Sequence, residues 1–132
     1  MTAEKGETMK HAVQTRLSKL LGLLVELLDK PGEKISDVAA QYPKFHGVYA
    51  ISDEEDSGVI YVGKSKPGTE GIGQCLRDHL RGGGDSDLGT WLGGDRGRAG
   101  RCLVRFIEAP DYIDRRNLEA LAIAVLSPKY NK

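Results

Sequence analysis

The stretch GVYAISDEEDSGVIYVGK, residues 47 to 64, holds two glycine-bounded tyrosines, Tyr49 and Tyr61, on either side of an acidic turn. A phenol with a pKa near 10 handles protons at neutral pH only where its surroundings shift it. Strand side chains alternate with period two, so the pair shares a face only if paired residue numbers sum to an even value. Pairing Tyr49 directly with Tyr61 meets that condition and leaves Asp53 to Ser57 as a five-residue hairpin loop. Either tyrosine alone is better explained by packing in a strand. Glu119 is harder to explain that way. It precedes ALAIAVL, a run apolar nearly all round, so its carboxylate falls at a core edge and needs a partner or a cation. His79 lies beside the apolar stripe of another helix, and Asn131 follows the helix-ending Ser127-Pro128.

The elements that must position these groups are readable in order. Val13, Leu17, Leu20, Leu24 and Leu27 line one face of a helix over about 11–29, which Pro31-Gly32 ends. A short helix over about 35–41, capped by Ser36 or Asp37, stops before Pro43. HGVYAIS and VIYVG read as strands around DEEDSG. Ile72, Leu76 and Leu80 mark a middle helix. Residues 82 to 100 read as a long glycine-punctuated loop with a helical turn near Leu88 to Leu92. RCLVRFIEA reads as a third strand, and Asp114 can cap a last helix. The order is an α+β domain with a three-stranded antiparallel sheet flanked by helices. It divides into an N-terminal helical extension, 1–42, and a domain over 43–132.

Length and composition suit one globular domain: 132 residues, 39% hydrophobic and 29% charged. Formal net charge is zero, so the total demands no polyanionic partner. Cys75 and Cys102 have no metal-ligand spacing, which argues for a reducing compartment, with a single disulfide still open. LLGLLVELL is far too short to span a membrane, and no small-residue cleavage site follows it. A soluble, cytoplasmic protein is expected.

Taken in order, GVY, YVGK, a helix with histidine before leucine, a glutamate-bearing helix and SPKYN make the chain resemble a GIY-YIG nuclease domain from about Gly47 to Asn131. The resemblance implies DNA phosphodiester cleavage with one divalent cation, magnesium or manganese. It implies a site of Tyr49, Tyr61, His79, Glu119 and Asn131, with Glu119 holding the metal. Tyr49 would accept or relay the proton of the attacking water, with Lys64 or the metal lowering its pKa. Tyr61 would hydrogen-bond the phosphate or the water, and His79 would donate to phosphate or move a proton. Asn131 would fix the glutamate helix or the substrate.

One position departs from the pattern. The family places an arginine four residues before the histidine, and here that residue is Cys75. Cysteine gives no forked, permanently charged contact to phosphate. The reading is either a loss of the arginine, natural or engineered, or a slipped local alignment in which Arg77 is the equivalent. Helical angles favour the loss, because Cys75 and His79 share one flank and Arg77 starts on the other. The function expected is a metal-dependent endonuclease, attenuated at Cys75. The alternative is a nucleic-acid-binding module of the same fold.

Phosphate contacts are expected from Lys64, Arg77 and a mobile loop carrying Arg96, Arg98 and Arg101, with Arg105 nearby. Arg115 and Arg116 in the first turn of the last helix add to these, while the DEED turn should face away from a duplex. A homodimer through the Leu17-Leu20-Leu24-Leu27 stripe is a further possibility, against packing of that stripe on its own domain.

Overall fold

A computed structural model describes residues 2–41, 44, 46–68, 71–81 and 87–131, the side chains of 2–4, 56, 57 and 96 excepted. The elements are α1 (Thr2–Asp29), β1 (Glu33–Lys34), α2 (Ile35–Gln41), β2 (Gly47–Asp53), β3 (Asp56–Lys64), α3 (Ile72–Leu80), α4 (Asp87–Gly93), α5 (Arg96–Arg101), β4 (Cys102–Glu108) and α6 (Tyr112–Leu126). The antiparallel sheet runs β1-β4-β2-β3. It has four strands where the sequence predicts three. The extra one, β1, is only two residues long, too short for any period-two pattern to announce it.

β2 is central, and both of its faces are covered. Tyr49 and Ile51 enter one apolar cluster with Ile35, Val38, Ile72, Leu76, Leu88 and Val104. Val48 and Ala50 enter the other with Leu20, Leu24, Leu27, Leu118 and Ala122. The sheet is thus sandwiched between α2–α4 on one side and α1 with α6 on the other. Residues 1–42 contribute to both clusters and to the sheet, so this segment is built into the core. Each fully buried leucine there contributes roughly 1.5–3 kcal/mol.

Three local expectations change. Leu20, Leu24 and Leu27 pack within the chain's own core, while Val13 and Leu17 farther along the helix are exposed, so most of the supposed dimer seam is occupied. Residues 96–101 form a helix rather than a mobile loop, because the Asp95 side chain accepts from Gly97 N and caps it. Asp111, not Asp114, caps α6 by accepting from Ile113 N and Asp114 N. Among the described residues no helix is long and apolar enough to cross a membrane. Residues 82–86 of the glycine-rich stretch lie outside the described residues.

Candidate active site

The hairpin register differs from the direct Tyr49–Tyr61 pairing expected. Tyr49 faces Gly63 and Ile51 faces Tyr61, with irregularities on either side of Ser52, and the chain turns at Glu54–Glu55. Much of the predicted five-residue loop therefore belongs to the strands. The two phenols still share a face, because a shift of two residues preserves parity. Their ring centroids lie 6.2 Å apart.

This register explains the glycine of YVG. The Tyr49 ring lies directly across Gly63, and a Cβ there would meet the hydroxyl end of the ring. Tyr49 is 2% exposed and has no room to retreat. Gly63→Ala is expected to cost about 1–3 kcal/mol by overpacking, read as a lower urea midpoint. An unchanged midpoint would mean that the ring is not seated on Gly63.

α3 brings His79 to the same place. Its Nε2 is 3.0 Å from the Tyr49 hydroxyl in a buried hydrogen bond, and its ring packs edge-on to Tyr61 with centroids 4.9 Å apart. Burial pushes the imidazole pKa down. The pKa of Tyr49 is raised well above 10 by burial first, then by Tyr61, Cys75, Glu119 and Asp78. Tyr61 is raised by burial, Glu119 and Cys75. Here the reading in which Lys64 lowers Tyr49 is corrected. The ammonium of Lys64 is held 2.9 Å from Glu119 Oε1, and among the charges acting on Tyr49 the carboxylate of Glu119 counts while Lys64 does not.

The depressed His79 pKa has a stability consequence with a definite sign. The unfolded chain takes up a proton near pH 6.5 that the folded chain resists, so stability is fully present above that pH and lost as pH falls below it. Urea unfolding should show a slope of at most about 1.4 kcal/mol per pH unit just below pH 6.5. His79→Asn should flatten that slope, whatever it does to absolute stability. Persistence of the slope in the variant would assign it elsewhere.

Glu119 approaches from the other layer. Tyr49, Tyr61 and His79 lie on the α3 side of the sheet, whereas Glu119 stands on α6 and meets Lys64 on the opposite side. The halves join at the end of β3, the edge strand. There the Lys64 carbonyl lies 3.8 Å from Cys75 Sγ on α3 while its ammonium holds Glu119. The Glu119 charge is close enough to raise both phenols. Its other oxygen, Oε2, has no partner among the described residues. Asn131 ties the segment that follows the glutamate helix to the sheet. Its amide accepts from Val62 N and donates to Val62 O, both at 2.8 Å, so it acts as an extra rung that closes the edge of β3. Ser127, in a left-handed conformation at φ 46°, turns the chain back from α6 to reach that edge.

Most of the predicted phosphate contacts are engaged internally. Arg77 donates to Ala39 O and Gln74, facing α2 and away from the phenols. Arg101 pairs with Asp53 and Glu55, and Arg105 binds Lys30 O and Ser52. Arg98 donates to Trp91 O. Arg115 is 3% exposed and caps the approach to α6 through Ala109 O and Pro110 O, which removes it from the surface. The side chain of Arg96 lies outside the described residues. Arg116 is exposed. Beyond these, the sequence reading missed a contact at the start of β2, where His46 Nδ1 lies 3.0 Å from the buried Ser65 hydroxyl. Nothing in the spacing of these two residues signals it.

The architecture that gathers a half-buried carboxylate, two phenols and an imidazole around an edge strand is a metal-dependent nuclease fold, by its likeness to solved structures. More particularly, the fold is GIY-YIG nuclease-like. The chain is similar to crystal structures of the GIY-YIG N-terminal endonuclease domain of UvrC from Thermotoga maritima. The magnesium-bound form matches with 25% identity and a TM-score of 0.56, covering 76% of this chain and 98% of that one. A tyrosine-to-phenylalanine mutant bound to its catalytic divalent cation matches with 25% identity, the same TM-score, and coverage of 76% and 97%. An asparagine-to-alanine mutant, also cation-bound, matches with 24% identity and a TM-score of 0.56, covering 76% and 97%. No family model and no curated protein matches the chain.

Proposed function

We propose that this chain hydrolyses phosphodiester bonds in DNA with a divalent cation, magnesium or manganese, and that Cys75 attenuates the reaction. The observation that carries this reading is the meeting of Tyr49, Tyr61 and His79 with the Lys64–Glu119 pair at the end of the edge strand, in a nuclease fold. Among the described residues no group of three or more metal-ligating side chains occurs. A lone carboxylate with one unpartnered oxygen suits a hard cation that keeps most of its waters, so Glu119 is the residue to hold it. When bound, the cation would supply positive charge to the phosphate and the leaving oxygen.

The protein's own groups divide the remaining work. The attacking water must lose a proton, and a free tyrosinate at position 49 is disfavoured by burial. Tyr49 instead acts as a relay, taking the water's proton on its oxygen while passing its own to Nε2 of neutral His79 across 3.0 Å. Tyr61 orients the phosphate or the water from the same face. With Glu119 holding the cation, Lys64 would be available to donate to phosphate. Asn131 holds β3 in place and contacts no substrate. The Cys75 thiol faces the phenols where a guanidinium would otherwise neutralise developing charge.

The test is nicking of supercoiled DNA in magnesium or chelator, by the parent chain and Tyr49→Phe. Magnesium-dependent nicking that falls by roughly 10²-fold or more in the variant is expected. Cutting that survives chelator, or Tyr49→Phe, would overturn the reading. Cys75 also favours a second reading, a module that binds nucleic acid without cutting. It requires binding with no nicking even after Cys75→Arg.

A further inference from the structure

A polar cavity of about 310 Å³ opens on β3 at Ile60, the residue before Tyr61. Trp91 of α4 and Tyr130 of the C-terminal segment stack there with ring centroids 5.2 Å apart and planes 27° from parallel. The Arg98 guanidinium lies over the Trp91 ring at 5.3 Å and the Lys129 ammonium over the Tyr130 ring at 5.5 Å. Both rings pack against the core yet stay half-exposed. Tyr130 N donates to Ile60 O and Asn131 pairs with Val62, so the segment carrying Tyr130 runs along β3 on either side of Tyr61. The carboxylate of Asp53, also on the cavity wall, is already met by Arg101.

We propose that the Trp91–Tyr130 stack, with Lys129 and Arg98, is a subsite for an unpaired base and its phosphate, so that a single-stranded DNA segment runs along the edge of β3 to the phenols. This rests on the nuclease reading and names the form of DNA the site takes. A base displaces the Lys129 ammonium from the face of Tyr130 and stacks in its place, and the freed ammonium meets the adjoining phosphate. Arg98 is anchored by its bond to the Trp91 carbonyl and keeps the stack rigid. Base faces inside a duplex are already stacked, so only an unpaired segment can use the platform. Stacking also supplies what charge does not: net charge is zero and most nearby arginines are committed within the fold.

Trp91 is the chain's only tryptophan, so its fluorescence reports on this site alone. The full chain, in chelator so that no strand is cut, is titrated with fluorescein-labelled oligothymidylate and, separately, with a blunt duplex. Trp91 emission and oligonucleotide anisotropy are followed together. Expected are saturable quenching by the single strand, weak quenching by the duplex, and an affinity loss of about ten-fold or more for Tyr130→Leu. Lys129→Gln, a substitution at an exposed side chain, should give a smaller loss, and it decides the matter with the parent's quenching if Tyr130→Leu does not fold. Binding seen by anisotropy with unchanged Trp91 emission and unchanged variants would overturn the subsite and leave the nuclease reading standing. Equal quenching by the duplex would overturn the single-strand assignment. Absence of any DNA binding together with absence of nicking would overturn the nuclease reading, and the subsite with it.

Discussion

Cys75→Arg should raise magnesium-dependent nicking by about 10² to 10³-fold, the range lost elsewhere when one donor to transition-state charge is removed. Residue 75 is half-buried on α3, on the flank that faces both phenols, and its thiol already acts on each of them. A guanidinium there would do two things at once. It would offer a forked, permanently charged contact to phosphate. It would also reverse the local field, because a positive charge near a phenol favours the tyrosinate where Cys75 and Glu119 disfavour it. The second effect can be read without substrate, as a downward shift of the tyrosinate absorbance titration. A rise in nicking with no change in that titration would locate the gain in phosphate binding alone. If neither moved, the side chain would not reach the site. Arg77→Ala is the matching control: its guanidinium is tied to Ala39 O on the far side of α3, so nicking should stay within about two-fold while stability falls by about 1 kcal/mol.

Glu119→Gln, measured in the Cys75→Arg background so that there is activity to lose, should remove nicking almost entirely. Two consequences oppose each other. The carboxylate charge raises the pKa of both Tyr49 and Tyr61, so neutralising it eases their deprotonation. The same change removes the anionic oxygen for a cation worth several kcal/mol of charge stabilisation at the phosphate. Glu119 is only one of several contributors at each phenol, behind burial in both, so the loss of the cation dominates. It also leaves Lys64 without its carboxylate partner. The expected signature is therefore divergent: the tyrosinate titration shifts down while nicking falls by about 10³-fold or more, equivalent to at least about 4 kcal/mol. Restoration by higher magnesium would point to weakened affinity. Undiminished cutting at ordinary magnesium would remove Glu119 from the centre.

Nearly all the elements were legible in the sequence, because each carries a local signal. The stripe of Ile72, Leu76 and Leu80 announces α3, and the alternating apolar run announces β4. β1 has no such signal at two residues. α5 was missed because glycines at 97 and 100 suggest a loop, whereas one capping carboxylate, Asp95, was enough to start a helical turn. The internal partners of the arginines were hidden for a related reason. Charge in a sequence says nothing about whether a carbonyl or a carboxylate lies within reach, and Arg101, Arg105 and Arg115 each found one.

What the sequence by itself determined is whatever periodicity dictates. Tyr49 and Tyr61 share a face at any even register, and Cys75 and His79 share a flank of α3 wherever that helix docks. Tertiary structure decided the rest. It set the Tyr49 ring over Gly63 instead of opposite Tyr61, brought Glu119 in from the opposite layer, and gave Lys64 to Glu119 rather than to Tyr49. The reason is physical: alternation is a property of one strand's covalent geometry, but register, layer and charge pairing are differences between competing long-range contacts that exist only once the sheet has closed against both sets of helices.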